Sequence, residues 1–133
     1  MQFPSTAKHA ILPLAMLMLS SSAFGLDCQK AITTPELNAC ASIDQKKAEA
    51  NLNKVYQRVL KTLGQGESAT SSEASLRNAF VAAQRAWIKF READCNAVHQ
   101  KYAGGSIRTV MYLGCMQNHA ERRIKDIEDF VSE

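Results

Sequence analysis

Three stretches of the chain repeat apolar residues at intervals of three and four. In the first, Ala48, Leu52, Val55, Tyr56, Val59, Leu60 and Leu63 fall on one side of a helix. Ahead of them, Thr34 can cap, Pro35 suits the first helical position and Glu36 favours the positive end of the dipole. Leu37 and Cys40 share a face, and the pattern allows a break near Ala41 to Asp44. Gly64 is placed to end this helix. The second stretch carries two adjoining stripes. One is Leu76, Phe80, Ala83, Trp87 and Phe90; the other is Phe80, Gln84, Ile88, Arg91, Cys95 and Val98. So broad a surface predicts the central helix. Unbroken from Glu73 to Tyr102 it would run about 45 Å, long enough to invite a bend. In the third stretch Val110, Leu113, Ala120, Ile124, Ile127 and Val131 give an inner face.

The punctuation between these stretches agrees with them. Gly64 to Ser72 holds no large apolar residue and reads as a flexible loop. Thr70 and Glu73 have capping-box spacing, with Ser72 as a rival cap. Gly104-Gly105-Ser106 reads as a turn: either glycine can end the second helix, and Ser106 can cap the third. Gly114 costs about 1 kcal/mol of helix propensity, which a close helix approach at that point would explain. No useful run alternates at the period of a strand, and no repeat occurs. The fold class is therefore all-α, three main helices with a short N-terminal helical segment.

The first 25 residues do not belong to that fold. Lys8 and His9 precede the short apolar run Ala10 to Leu19, and small residues Ser20, Ser21, Ser22 and Ala23 follow. This is the pattern of a secretory signal peptide, cut after Gly25 or alternatively after Ala23. The run is too short for the roughly 20 apolar residues of a membrane span. Residues 26–133 then form one small exported domain with a thin core. Lys8 leaves with the leader, so the net charge of +3 falls to +2. That balance, with no basic run interleaved with aromatics, excludes a nucleic-acid partner. A membrane partner after cleavage, a multidomain enzyme and a transporter are excluded too, and a monomer is expected. If the source is Gram-negative, the destination is the periplasm.

Cys28, Cys40, Cys95 and Cys115 all follow the leader, and an even number in a small exported chain reads as disulfides. No two of them stand close enough for a zinc-binding turn. Cys95 and Cys115 each lie ten residues from Gly105. In an antiparallel hairpin such positions sit at one height, so they should pair and leave Cys28 to Cys40.

The chemistry of catalysis is missing. There is no H-E-x-x-H, no G-x-S-x-G, no phosphate-cradling glycine loop and no dinucleotide fingerprint. Four paired cysteines leave no thiol nucleophile. Hairpin symmetry sets His119 opposite Arg91 and His99 near Met111, which keeps the imidazoles apart. Glu92 with Asp94, and Asp126 with Glu128, stand two apart and point to different faces. No enzyme activity and no cofactor are expected. Arg91 is the odd member of an apolar face, and its burial would demand an acceptor; Glu121 or a helix-end carbonyl could serve.

Ala83-Gln84-Arg85-Ala86-Trp87-Ile88-Lys89-Phe90-Arg91-Glu92-Ala93-Asp94-Cys95 resembles the A-Q-x-x-W-x-x-[FY]-R-x-x-x-C signature of the LprI-like lysozyme inhibitor family. Cys28 and Cys40 around Thr34-Pro35-Glu36 resemble its first cysteine pair, and Leu52-Asn53-x-x-Tyr56 its L-N-x-x-Y helix. Gly104-Gly105-Ser106, and Cys115 with Arg122, resemble its hairpin and final C-x6-R. Glu49 stands where the family often has Asp, and Asp27 at the leader junction does not suit a lipoprotein. The resemblance implies a protein that binds and blocks a lysozyme. A non-inhibitory module binding another envelope protein or a peptidoglycan fragment is the alternative. Gln84, Trp87, Phe90, Arg91 and Arg122 read as structural members of the signature. A lysozyme cleft works through two carboxylates, so the partner-binding candidates are Gly104, Gly105, Ser106 and Arg108 at the turn, with Tyr102 as an aromatic edge.

Overall fold

A computed structural model describes residues 25–63 and 70–132. Residues 1–24 of the expected leader lie outside the described residues, and so does most of the loop expected from Gly64 onward. Three helices follow one another: α1 Thr34–Thr62, α2 Ser71–Lys101 and α3 Arg108–Ser132. No strand occurs among the described residues. No helix there is long and apolar enough to cross a membrane.

Local chemistry sets the helix starts. The hydroxyl of Thr33 accepts from the Glu36 N–H, and the Glu36 carboxylate accepts in return from the Thr33 N–H at 3.0 Å. The cap is thus Thr33, one residue before the expected Thr34. Thr34 takes the first helical position and Pro35 the second, where a missing N–H costs nothing. Thr70 and Glu73 form the same reciprocal box on α2, as their spacing predicts. Two other expectations fail. α1 runs unbroken through Ala41 to Asp44. Ser106 does not cap α3, because the Met111 N–H reaches the carbonyl of Ile107 instead.

The helices run up, down and up. Arg58 of α1 meets Glu128 of α3, both near their C-terminal ends, so α1 and α3 are parallel. α3 packs against both α1 and α2, whereas α1 and α2 approach each other far less closely. The central helix is therefore α3 and not α2. The apolar centre is Ala48, Leu52, Val55 and Val59 of α1 against Ala120 and Ile127 of α3, with Phe80 as the contribution of α2. Phe80 stacks between Tyr56 of α1 at 5.3 Å and Phe130 of α3 at 5.5 Å, so three rings join three helices. Of the two stripes on α2, the one through Phe80, Gln84, Arg91 and Cys95 is buried. Leu76, Ala83 and Phe90 of the other are exposed.

Two disulfides complete the frame, with the pairing that the hairpin symmetry predicts. Cys28 bonds Cys40 and Cys95 bonds Cys115, with Cα separations of 5.7 and 5.6 Å. Gly114 beside Cys115 has open space where a Cβ would stand, so no close approach requires it. Cys95 is fully buried. Replacing Cys95 and Cys115 by Ser should lower unfolding stability by roughly 3 kcal/mol, read by urea titration of the far-UV signal. Wild-type stability or better would contradict the clamp. A second expectation concerns acid. The Thr33 N–H, then its hydroxyl and the Ile32 N–H, hold the Glu36 carboxyl below its ordinary value. The Thr70 N–H and hydroxyl do the same to Glu73. A lowered carboxyl stabilises the fold above the ordinary carboxylate range, and that stability is lost as pH falls through the lowered value. Gln at both positions should flatten the acid side of the stability profile by lowering stability at neutral pH, and should leave stability well below the carboxylate range nearly untouched.

Candidate functional site

The turn between α2 and α3 spans residues 102–107 and is built by its backbone. The Ala103 N–H donates to the Gln100 carbonyl and the Gly105 N–H to that of Tyr102, both at 3.0 Å. Gly104, Gly105, Ser106 and Arg108 are exposed, with Arg108 as the first residue of α3. Tyr102 is half-buried, and the Lys101 ammonium lies 5.6 Å from the centre of its ring. All five candidates are thus together at one pole of the bundle. The Cys95–Cys115 bridge holds the two helices that present them.

A second set of residues comes together where α1 and α2 diverge. A groove of about 310 Å³ opens there, lined by Glu49, Asn53, Tyr56, Gln84, Trp87 and Arg91 among others. Arg91 is 6% exposed. Its guanidinium donates through Nη1 to the Glu49 carboxylate. The same guanidinium lies 4.6 Å from the centre of the Trp87 ring, which spreads its charge over an aromatic face. Arg91 Nε is buried and has no hydrogen-bond partner. Gln84 is buried as well, and its Oε1 accepts from Arg123 Nε at 3.0 Å.

Several sequence expectations are corrected here. Arg91 is buried, but its acceptor is Glu49 of α1 and not Glu121, which accepts from Gln117 on its own helix at 2.8 Å. Glu49 and Arg91 line the same groove, whereas Glu121 is exposed on α3. Phe90 is 59% exposed and meets His119 edge-on at 5.6 Å, so it is not a core residue. Arg122 is exposed and bonds only the Asn118 carbonyl one turn back. His119 is buried and pairs with Asp94 at 2.7 Å, three residues from its expected neighbour Arg91. His99 packs edge-on against Tyr112, next to its expected neighbour Met111. A His119 ring nitrogen lies within 4.8 Å of the sulfurs of Cys95 and Cys115, but both sulfurs are bonded to each other and offer no thiolate to a metal.

The sequence reading missed the groove itself. The signal was present in Leu52-Asn53-x-x-Tyr56 and in Gln84-x-x-Trp87-x-x-x-Arg91, since both patterns put polar groups beside an inner stripe. Antiparallel packing of the two segments then makes one wall from each. The Glu49–Arg91 pair carries a clear consequence. Glu49→Ala would strand a buried guanidinium and should cost about 2 kcal/mol of stability by chemical denaturation, while Glu49→Gln should cost less because an oxygen acceptor remains. Equal losses in the two variants would refute the pairing.

Residues 27–127 match the family described as "Lysozyme inhibitor LprI". An uncharacterised protein of Rhizobium meliloti (strain 1021) is 32% identical over 112 residues, covering 79% of this chain and 78% of that protein. No solved structure matches. The match spans α1, α2, most of α3 and both cysteine pairs, and this chain belongs to the LprI lysozyme inhibitor family.

Proposed function

We propose that this protein is exported to an oxidising compartment, the periplasm in a Gram-negative cell, and there blocks a lysozyme by seating the α2–α3 turn in the enzyme's cleft. Family membership over residues 27–127 is the observation that carries the reading. Two disulfides suit such a compartment. An inhibitor of this kind transforms nothing; it needs a rigid projection that excludes substrate. The turn has that form, with exposed Gly104, Gly105 and Ser106 between two long helices clamped at Cys95–Cys115. Rigidity matters because every degree of freedom frozen on docking weakens the complex. Arg108 supplies a cation for the carboxylates on which a lysozyme depends. Tyr102 adds an aromatic edge.

Without its leader the chain's charge falls from +3 to +2, which gives no long-range attraction to a basic lysozyme. Affinity on this reading comes from contacts made at short range, so association should be ordinary in rate and weakly dependent on salt. A cell-wall lysis assay with chicken-type, goose-type and invertebrate-type lysozymes tests it. Purified protein should slow at least one type, and Arg108→Glu should weaken that inhibition about tenfold or more with an unchanged helical spectrum. Absence of inhibition across all three types, with capture of another envelope protein, would move the assignment to a non-inhibitory binding module.

A further inference from the structure

We infer that the groove between α1 and α2 is a binding site of its own, and that it takes a pyranose ring of a saccharide. It lies apart from the turn: Arg91 and Tyr102 are separated by about 16 Å along α2. The inference therefore does not rest on lysozyme inhibition.

The chemistry of the walls selects the ligand. Trp87 and Tyr56 contribute half-buried rings with polar tips; Arg91 and Arg123 lie 4.6 and 5.8 Å from the centre of the Trp87 ring and Phe80 stacks on Tyr56, so a ligand meets what these neighbours leave uncovered. Around them stand two amides, one carboxylate and one guanidinium, those of Asn53, Gln84, Glu49 and Arg91. Gln84 has committed its oxygen to Arg123, which leaves its amide N–H groups as what it can offer. Glu49 and Arg91 neutralise one another, so the groove favours neither an anion nor a cation. A free amino acid or peptide terminus would need those two charges for itself. What remains is a neutral molecule with apolar faces and a rim of hydroxyl groups that both donate and accept. A sugar ring is that molecule. Its C–H groups lie against the uncovered parts of these rings, and its hydroxyls pair with planar amide, carboxylate and guanidinium groups.

Two further observations point the same way. Arg91 is more than nine-tenths buried, yet its Nε has no partner. Buried donors are almost always satisfied, and a ligand oxygen reaching the groove floor would satisfy this one after a small shift of the side chain. The volume of about 310 Å³ stands at the small end of ligand sites and suits one ring rather than an extended chain. The groove is also open, as a unit within a longer saccharide requires.

The chain has one tryptophan, so its emission reports from this wall directly. Purified protein is titrated with di-N-acetylchitobiose, with cellobiose and with the open-chain polyol sorbitol. A saturable change in emission is expected with at least one disaccharide, at a midpoint of about 1 mM, and none with sorbitol. Asn53 is exposed, and Asn53→Ala should raise the midpoint about tenfold while the helical spectrum stays unchanged. A response to the N-acetylated sugar alone would mark a cell-wall glycan as the source, and a response to both would mark free sugars. No saturable change with either disaccharide would overturn the proposal. So would an equal response to sorbitol, or a midpoint that Asn53→Ala leaves in place.

Discussion

Arg91 is a permanently charged side chain held almost out of water in a domain whose apolar core is thin. Taking a guanidinium out of water costs several kcal/mol unless its charge and donors are met. The Glu49 carboxylate meets the charge from α1, and the Trp87 ring meets one face of the cation from α2 itself. These contacts decide the arrangement of the molecule. α1 must lie where Glu49 reaches Arg91, which fixes its height against α2. It cannot lie closer, because the polar inner face of α2 gives it little apolar surface to cover. α1 therefore buries its stripe on α3, and a groove is left where the first two helices part.

α2 is correspondingly held by unlike devices along its length. A disulfide fastens its C-terminal part to α3, and the ring stack through Phe80 joins its N-terminal part to both other helices. Between them, Gln84 and Arg91 fill positions that a larger protein would give to leucine or isoleucine. Such an inner face is specific rather than adhesive. Each polar group tolerates one partner at one height, whereas an apolar stripe tolerates slippage.

Much of this was legible in the chain. The α1 stripe, the Thr70–Glu73 box and the Cys95–Cys115 pairing follow from periodicity, local spacing and the symmetry of a hairpin. Each depends on residues near one another in sequence or related by a single turn. The misreadings share an opposite origin. Thr33 and Thr34 are chemically alike, and only the backbone angle decides which one caps. Phe90 and Leu76 sit on a stripe that a helix of full width would bury, but one neighbouring helix covers a narrower arc. The acceptor of Arg91 lies 42 residues away on another helix, and no local pattern carries that information. The groove was hidden for the same reason, since neither wall is a site until the other faces it.

The parallel course of α1 and α3 bears on how the molecule is made. Arg58 and Glu128 touch across 70 residues of chain, and the apolar stripe of α1 is closed mainly by that same distant helix. Such contacts form only after a long segment has been brought round. A ribosome releases α1 well before α3 exists, so its greasy side must stay wet or be sheltered until the third helix follows. Of the three described helices, the third is the one that hides the first.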